Sequence, residues 1–287
     1  MKSKVYFTRS VSPDAMLRLY GALGVHLEGK VAVKLHSGEV GNQNFLRPAF
    51  MKPMVDHVGG TIVECNTAYE GRRNTTEAHW DTMKVHGWTD IAPVDIMDEE
   101  GELELPIPNG KRIQTNFVGG HLERYDSLLV LSHFKGHPMG GFGGALKNIS
   151  IGIASAYGKA YIHGAGDPEQ LWTADHDSFL EAMADAAWSI HKRFDGRVAY
   201  LNVMCNMSVD CDCCAVAEDP KLADIGTLAS LDPVALAQAC LDLVYQSSDL
   251  GKADLIQRIE SLHGVHTVEA AAELGIGSRE YELIELD

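Results

Sequence analysis

The stretch that decides the fold is Ser127-Leu128-Leu129-Val130-Leu131-Ser132-His133-Phe134-Lys135-Gly136-His137-Pro138-Met139-Gly140-Gly141-Phe142-Gly143-Gly144-Ala145-Leu146-Lys147-Asn148. Its first five residues form an unbroken apolar run, the signature of a strand buried on both faces. From Ser132 to Asn148 the chain carries two His, two Lys and five Gly. After it, Ala145 to Ala154 reads as a helix, weakened by Gly152 and its β-branched neighbours. A glycine-rich turn from strand end to helix start gathers backbone N–H groups at one point, an arrangement that suits an anion. Lys135 and Lys147 add charge there. The spacing is neither nucleotide-loop type: Leu146 stands where a dinucleotide fingerprint needs its last glycine, and no Gly-Lys-Ser/Thr exists.

Working outward, the same strand, loop and helix order recurs. Lys4–Thr8 reads as a strand, followed by a helix from the Ser12-Pro13-Asp14 cap to about Leu23. Lys30–Leu35 is a strand ending in the polar loop His36-Ser37-Gly38-Glu39-Val40-Gly41-Asn42. A helix over Pro48–His57, a strand over Thr61–Cys65 and a helix over Thr76–His86 continue the alternation, which implies parallel strands joined by crossover helices. Between Ile91 and Phe117 the pattern fades into an acidic turn and the Pro106, Pro108 and Asn109-Gly110 punctuation of a short antiparallel hairpin. That interval is the expected seam between lobes 1–117 and 118–287 of one family-sized domain.

Further on, Ser178-x-x-Glu181 matches a capping box, and Phe179, Leu180, Met183, Ala186, Ala187, Ile190 and Phe194 form one helical stripe. Arg197–Met204 is another strand, and it delivers a cysteine cluster. Helices from Asp232-Pro233 to about Tyr245, over Lys252–Leu262 and over Val268–Leu274, then a Tyr281–Leu286 edge strand, complete the chain. The expected fold is α/β, with a largely parallel central sheet flanked by helices and a small antiparallel insertion.

The 287 residues, 45% hydrophobic and 22% charged, can bury a full core. A net charge of −16 without a basic block argues against nucleic acid as a partner. No long apolar run suggests a membrane span or a signal peptide, so the expected location is the cytoplasm. Apolar C-terminal helices leave room for a homodimer.

Four of the six cysteines, Cys205, Cys211, Cys213 and Cys214, fall within ten residues. A secreted disulfide framework would spread them, so a metal or redox site is expected. Thiolates are soft ligands and favour zinc or an iron–sulfur cluster over magnesium or calcium. In an extended backbone Cys211 and Cys213 point one way and Cys214 the other, which would send Cys214 inward. Cys65 and Cys240 lie within element patterns and read as core.

The loops at Lys34–Asn42, His133–Asn148 and Cys205–Cys214 each follow a strand, and parallel topology would gather them at one sheet edge. The candidate catalytic groups there are Lys34, His36, Glu39, His133, Lys135 and His137. Asn42, Gly143, Gly144, Lys147 and Asn148 are the candidate substrate-binding residues, and Cys205, Cys211, Cys213 and Cys214 the metal ligands. A Lys or His beside a metal, its pKa shifted toward neutrality, serves as general acid or base.

Four segments together resemble the family called domain of unknown function 362. They are Lys34–Asn42, His133–His137 with Gly141–Asn148, Cys211-Asp212-Cys213, and Asp224–Ala235. The resemblance covers nearly the whole chain. It implies an α/β fold and, since members are often described as iron–sulfur centre proteins, a [4Fe-4S] cofactor. Many members carry an added ferredoxin-like segment rich in Cys-x-x-Cys, which this chain lacks, so a cluster here would rest on the four clustered cysteines. The leading expectation is an iron–sulfur oxidoreductase acting on a small anionic or carbonyl substrate, served by an electron-transfer protein. The alternatives are a lyase or isomerase with an open metal site acting as Lewis acid, and a non-catalytic zinc or iron–sulfur protein.

Overall fold

The computed structural model describes residues 2–287. Its first part alternates as expected: β1 (Ser3–Thr8), α1 (Pro13–Leu23), β2 (Val31–Lys34), α2 (Pro48–Val58), β3 (Thr61–Glu64), α3 (Thr76–His86) and β4 (Val94–Ile96). Then come β5 (Glu102–Pro106), β6 (Thr115–Gly119), β7 (Ser127–His133), β8 (Lys135–His137), β9 (Gly141–Gly143), α4 (Ala145–Ser150) and α5 (Ala156–His163). The last part holds α6 (His176–Arg193), β10 (Val198–Met204), β11 (Gly226–Ser230), α7 (Pro233–Gln246), α8 (Lys252–Ser261), α9 (His266–Glu273) and β12 (Tyr281–Glu285).

Eight strands form one sheet in the order β12-β1-β11-β10-β7-β2-β3-β4. Only β11 runs against the rest, antiparallel to both β1 and β10. The other pairings, β12 with β1 and β10 through β7, β2 and β3 to β4, are parallel. The fold is therefore α/β with a mostly parallel central sheet. β5 and β6 pair antiparallel from Glu102↔Gly119 to Pro106↔Thr115, where the proline and Asn-Gly punctuation placed a hairpin.

Helices cover both faces of the sheet, and two apolar clusters form the core. Met16, Leu19, Met51, Met54 and Trp88 pack on one face, while Phe134, Leu146, Ile190, Leu236 and Val268 pack on the other. Ser12 caps α1 by accepting from the Ala15 N–H, and Asp232 caps α7 by accepting from Val234 and Ala235.

Three local expectations need correction. β11 is a strand the sequence reading left out, since Gly226-Thr-Leu-Ala-Ser lacks an apolar run and owes its order to two flanking ladders. The helix after the glycine loop stops at Ser150, before Gly152. Asp175, not Ser178, caps α6, so the Glu181 carboxylate is free for side-chain partners instead of a capping box.

Candidate functional site

Chain order sends β3 and β4 to one side of β2, and β7 and β10 to the other. The reversal opens a crevice outside the carboxyl ends of β2 and β7, the place where such sheets hold ligands. A cavity of about 290 Å³ lies there. Lys34 ends β2 and Glu64 ends β3; His133 ends β7, and the segment after β10 folds back over the opening. Close approach of that segment requires glycine: a Cβ on Gly136 would sit 2.2 Å from the Val209 carbonyl oxygen.

Twelve of the fifteen residues singled out from sequence line this cavity. They are Lys34, His36, His133, Lys135, His137, Gly143, Gly144, Lys147, Asn148, Cys211, Cys213 and Cys214. Cys214 faces the cavity beside Cys211 because the chain turns there, with the Cys214 N–H bonded to the Cys211 carbonyl at 2.9 Å, instead of running extended.

Glu39, Asn42 and Cys205 stand behind the cavity wall. Glu39 accepts from Arg73 Nε at 3.2 Å and from the Arg72 N–H at 3.0 Å. Asn42 Nδ2 donates to the Cys214 carbonyl at 2.8 Å and braces the cysteine turn. Cys205 packs among apolar side chains, and burial pushes its thiol up to about 12.

Sequence reasoning missed Glu64, Tyr69, Arg73, Lys159, His163 and Trp172, all of which line the cavity. Glu64 lay hidden inside an apolar strand pattern. Lys159 and His163 carried a readable signal, since their i,i+4 spacing puts both on one face of α5.

The charges are organised as buried pairs with a cationic remainder. Lys34 Nζ donates to Glu64 Oε2 at 2.7 Å, and Glu64 Oε1 accepts from the Ser37 N–H at 2.8 Å. Burial would raise the Glu64 carboxyl, but Lys34, His36 and His79 hold it below the usual range. Lys135 Nζ donates to Asp212 Oδ2 at 2.7 Å. Burial opposes the Lys135 charge, and Asp212 and Cys211 overcome it, so the ammonium is raised. Lys159 finds only carbonyls, those of Ala154 at 2.5 Å and Cys65 at 3.4 Å. Lys147 Nζ has no hydrogen-bond or carboxylate partner among the described residues. Burial lowers both of these ammonium groups.

The hydrogen bonds also fix which nitrogen of each cavity imidazole holds a proton. His137 Nδ1 accepts from the Met139 and Gly140 N–H groups at 3.0 and 2.9 Å, so the neutral ring carries its proton on Nε2. His36 Nδ1 likewise accepts from the Gly38 N–H at 3.0 Å. The His137 ring lies near the Cys211 sulfur, with ligand atoms within 4.8 Å, and that sulfur accepts from the Cys213 N–H at 3.3 Å.

His163 is the reverse. Its Nδ1 donates to the Lys159 carbonyl at 2.7 Å, leaving a bare Nε2. Burial and the Lys147 charge lower His137 and His163 to about 3 each, so both are neutral at neutral pH. His133 faces an acceptor at each nitrogen, Asp212 at 3.0 Å and the Cys205 carbonyl at 2.6 Å.

Ligand atoms of His137, Cys211 and Cys213 lie within 4.8 Å of one another. Zinc bonds of about 2.0–2.3 Å put tetrahedral ligand atoms about 3.3–3.8 Å apart, so one soft ion is within reach of modest side-chain movement. The sulfurs suit it. The His137 lone pair does not, because two backbone N–H groups already occupy Nδ1.

A family model described as Domain of unknown function (DUF362) matches residues 31–242. The chain belongs to this family. The DUF362 match spans the elements from β2 through most of α7 and so contains every cavity residue named above.

Comparison with curated proteins gives no match. Among solved structures, the lactate racemase apoprotein from Thermoanaerobacterium thermosaccharolyticum is similar, with a TM-score of 0.49 and 15% identity over 83% of this chain. A protein from Thermotoga maritima is similar with a TM-score of 0.45 and 13% identity over 91% of this chain. The DUF362 chain spans 56% and 58% of the lengths of those two proteins. No helix among its described residues is long and apolar enough to cross a membrane.

Proposed function

We propose that this protein is an enzyme that moves a proton on a small organic anion, a lyase or isomerase in reaction class. The observation that carries the reading is the pair of opposite tautomers on one cavity: His163 offers a bare Nε2, and His137 an Nε2–H. One neutral imidazole presents a lone pair to take a proton, a weak base until a bound carboxylate offsets the Lys147 charge that lowers it, and the other donates a hydrogen bond. Lys147 and Lys159, left without carboxylate partners, supply the charge that draws and seats a carboxylate. Paired Lys34, Lys135 and Arg73 are already neutralised and serve to hold the walls.

In this reading a substrate carboxylate pairs with Lys147. The Nε2 of His163 takes a proton from the carbon next to a carbonyl, and the negative charge that develops on the carbonyl oxygen is met by the Nε2–H of His137. Delivering the proton to a different atom, or to the opposite face of the same carbon, completes an isomerisation; losing a leaving group from the neighbouring carbon completes an elimination.

Cys211 and Cys213 fit a single soft ion better than a four-iron cluster, since Cys205, the fourth thiolate of the cluster expectation, packs in the core. Such an ion would supply Lewis acidity at the carbonyl. The N–H group of His36 would stabilise the Cys211 thiolate.

The test is solvent exchange. The protein is incubated in D₂O with a panel of small 2-oxo carboxylates, and deuterium at the carbon beside the carbonyl is followed by NMR. Exchange that falls at least a hundredfold in His163→Asn, while Trp172 fluorescence still reports anion binding, supports the reading. Exchange unaffected by that substitution refutes it.

A further inference from the structure

A second imidazole cluster lies where the first turn of α6 meets the turn between α8 and α9, and none of its residues lines the cavity. Asp177 and Glu181 stand one turn apart on α6, so both carboxylates face the same neighbour. His263 Nδ1 is 2.8 Å from Asp177 Oδ1, and His266 Nε2 is 3.1 Å from Glu181 Oε1. Burial would raise the Glu181 carboxyl, but hydrogen bonds from Lys111, Arg112 and His266 hold it at about 2.

A carboxylate accepts only from the ring nitrogen that carries a proton. Each neutral ring therefore turns its bare nitrogen away from α6: Nε2 of His263 and Nδ1 of His266. The two rings stack with centroids 4.9 Å apart and planes 12° from parallel. His266 Nδ1 points at Glu269 Oε2 from 3.6 Å, while Arg279 holds the other Glu269 oxygen at 2.8 Å. On a neutral ring two lone pairs then face each other with nothing between them, an arrangement that either a proton on Nδ1 or a metal cation resolves.

We propose that His263, His266 and Glu269 bind a divalent transition ion of the zinc class, with water at the remaining position. Ligand atoms of the three already lie within 4.8 Å of one another, and closure to tetrahedral spacing takes about 1 Å. The His263 side chain is more than half exposed and free to make that movement. Imidazole and carboxylate donors suit zinc, and the Asp177 and Glu181 hydrogen bonds are the outer contacts that orient metal-bound histidines. The cavity differs in that respect, because backbone N–H groups occupy the Nδ1 lone pairs of His36 and His137. The ion would lock α9 to the first turn of α6, directly after the segment that carries Trp172 at the cavity.

The experiment titrates zinc into chelator-stripped protein carrying Cys211→Ser, Cys213→Ser and Cys214→Ser, so that the cavity sulfurs cannot contribute. Calorimetry is expected to show one zinc per chain at micromolar affinity or tighter. His263→Ala, His266→Ala or Glu269→Gln is expected to weaken binding at least tenfold, and Asp177→Asn by about tenfold through loss of ring orientation. Cobalt in the same background should show d–d bands without a sulfur charge-transfer band. Equal zinc binding in the His263→Ala/His266→Ala variant overturns the assignment, as does no binding in the background lacking the cavity cysteines with all other residues intact. Failure here leaves the cavity reading untouched, because the proton-exchange assay does not involve these residues.

Discussion

Acidification is the perturbation that most directly weighs the buried imidazoles. His79 and His163 are both held at about 3, His79 by burial opposed by Glu64, and His163 by burial reinforced by Lys147. In the unfolded chain a histidine titrates near 6.5. A folded-state pKa below the unfolded value means that the unfolded chain binds more protons between pH 3 and 6.5. Stability is then fully present above pH 6.5 and is lost as pH falls toward 3. With 1.36 kcal/mol per unit, each ring costs about 1.4 kcal/mol at pH 5.5 and about 2 kcal/mol at pH 5. The two together remove about 4 kcal/mol by pH 5, a large share of the usual ~5–15 kcal/mol total. His36 and His137 are lowered too and steepen the slope. The lowered carboxylates Glu64, Asp212 and Glu181 change their unfolded-state protonation mainly below about pH 4.5, so the window above pH 5 belongs to histidine. Urea unfolding at half-unit steps from pH 7 to 5 reads the slope directly. His163→Asn keeps a donor for the Lys159 carbonyl and should lower the slope by about 1 kcal/mol per pH unit averaged over that range. A stability flat to within about 0.5 kcal/mol across that range would refute the burial argument.

Three further outcomes follow from the same contacts. Lys34→Met strands the Glu64 carboxylate at 3% exposure and should cost about 3–5 kcal/mol by chemical denaturation, while adding Glu64→Leu should recover most of the loss. Gly136→Ala drives a Cβ into the Val209 backbone, so a cost near the upper end of about 1–3 kcal/mol is expected, together with faster alkylation of Cys211 and Cys213 as the turn loosens. Lys147→Met removes a cation that no protein carboxylate needs, and should weaken binding of a small carboxylate at least tenfold, read from Trp172 fluorescence, with thermal stability unchanged or higher.

Much of this site was legible because its residues follow strands. Lys34, His133 and Lys135 stand at or just past the ends of parallel apolar runs, and topology alone brings such ends to one edge. The glycine pattern between Gly136 and Gly144 marked where backbones approach closely. What was not legible is decided by contacts across the sheet. Glu64 reads as a polar interruption in a strand until Lys34 is placed beside it. Arg73 and Glu39 pair over 34 residues, and Asp212 answers both His133 and Lys135 from 77 residues or more away. The cysteine turn failed under an extended-chain assumption: a single 2.9 Å hydrogen bond from the Cys214 N–H to the Cys211 carbonyl moves Cys214 from the core to the cavity. β11 was invisible because neither of its ladders is local.

Charge balance inside the cavity narrows what the working state must contain. Lys34 is matched by Glu64, Arg73 by Glu39, and Lys135 by Asp212, which also holds His133. Lys147 and Lys159 remain, and burial disfavours both as free cations. The surrounding chain, at −16 overall, offers them no carboxylate in contact. Two negative charges therefore restore neutrality. In the cavity they come from a dianionic ligand, or from a monoanion together with the thiolate of Cys211, which Lys147 and Lys135 both feel. The two cases separate on ligand affinity in Cys211→Ser: a dianion binds the variant as tightly as the parent protein, whereas a monoanion binds it more weakly. In the monoanion case the Cys211 sulfur is the residue that sets the ligand charge the proposed site accepts.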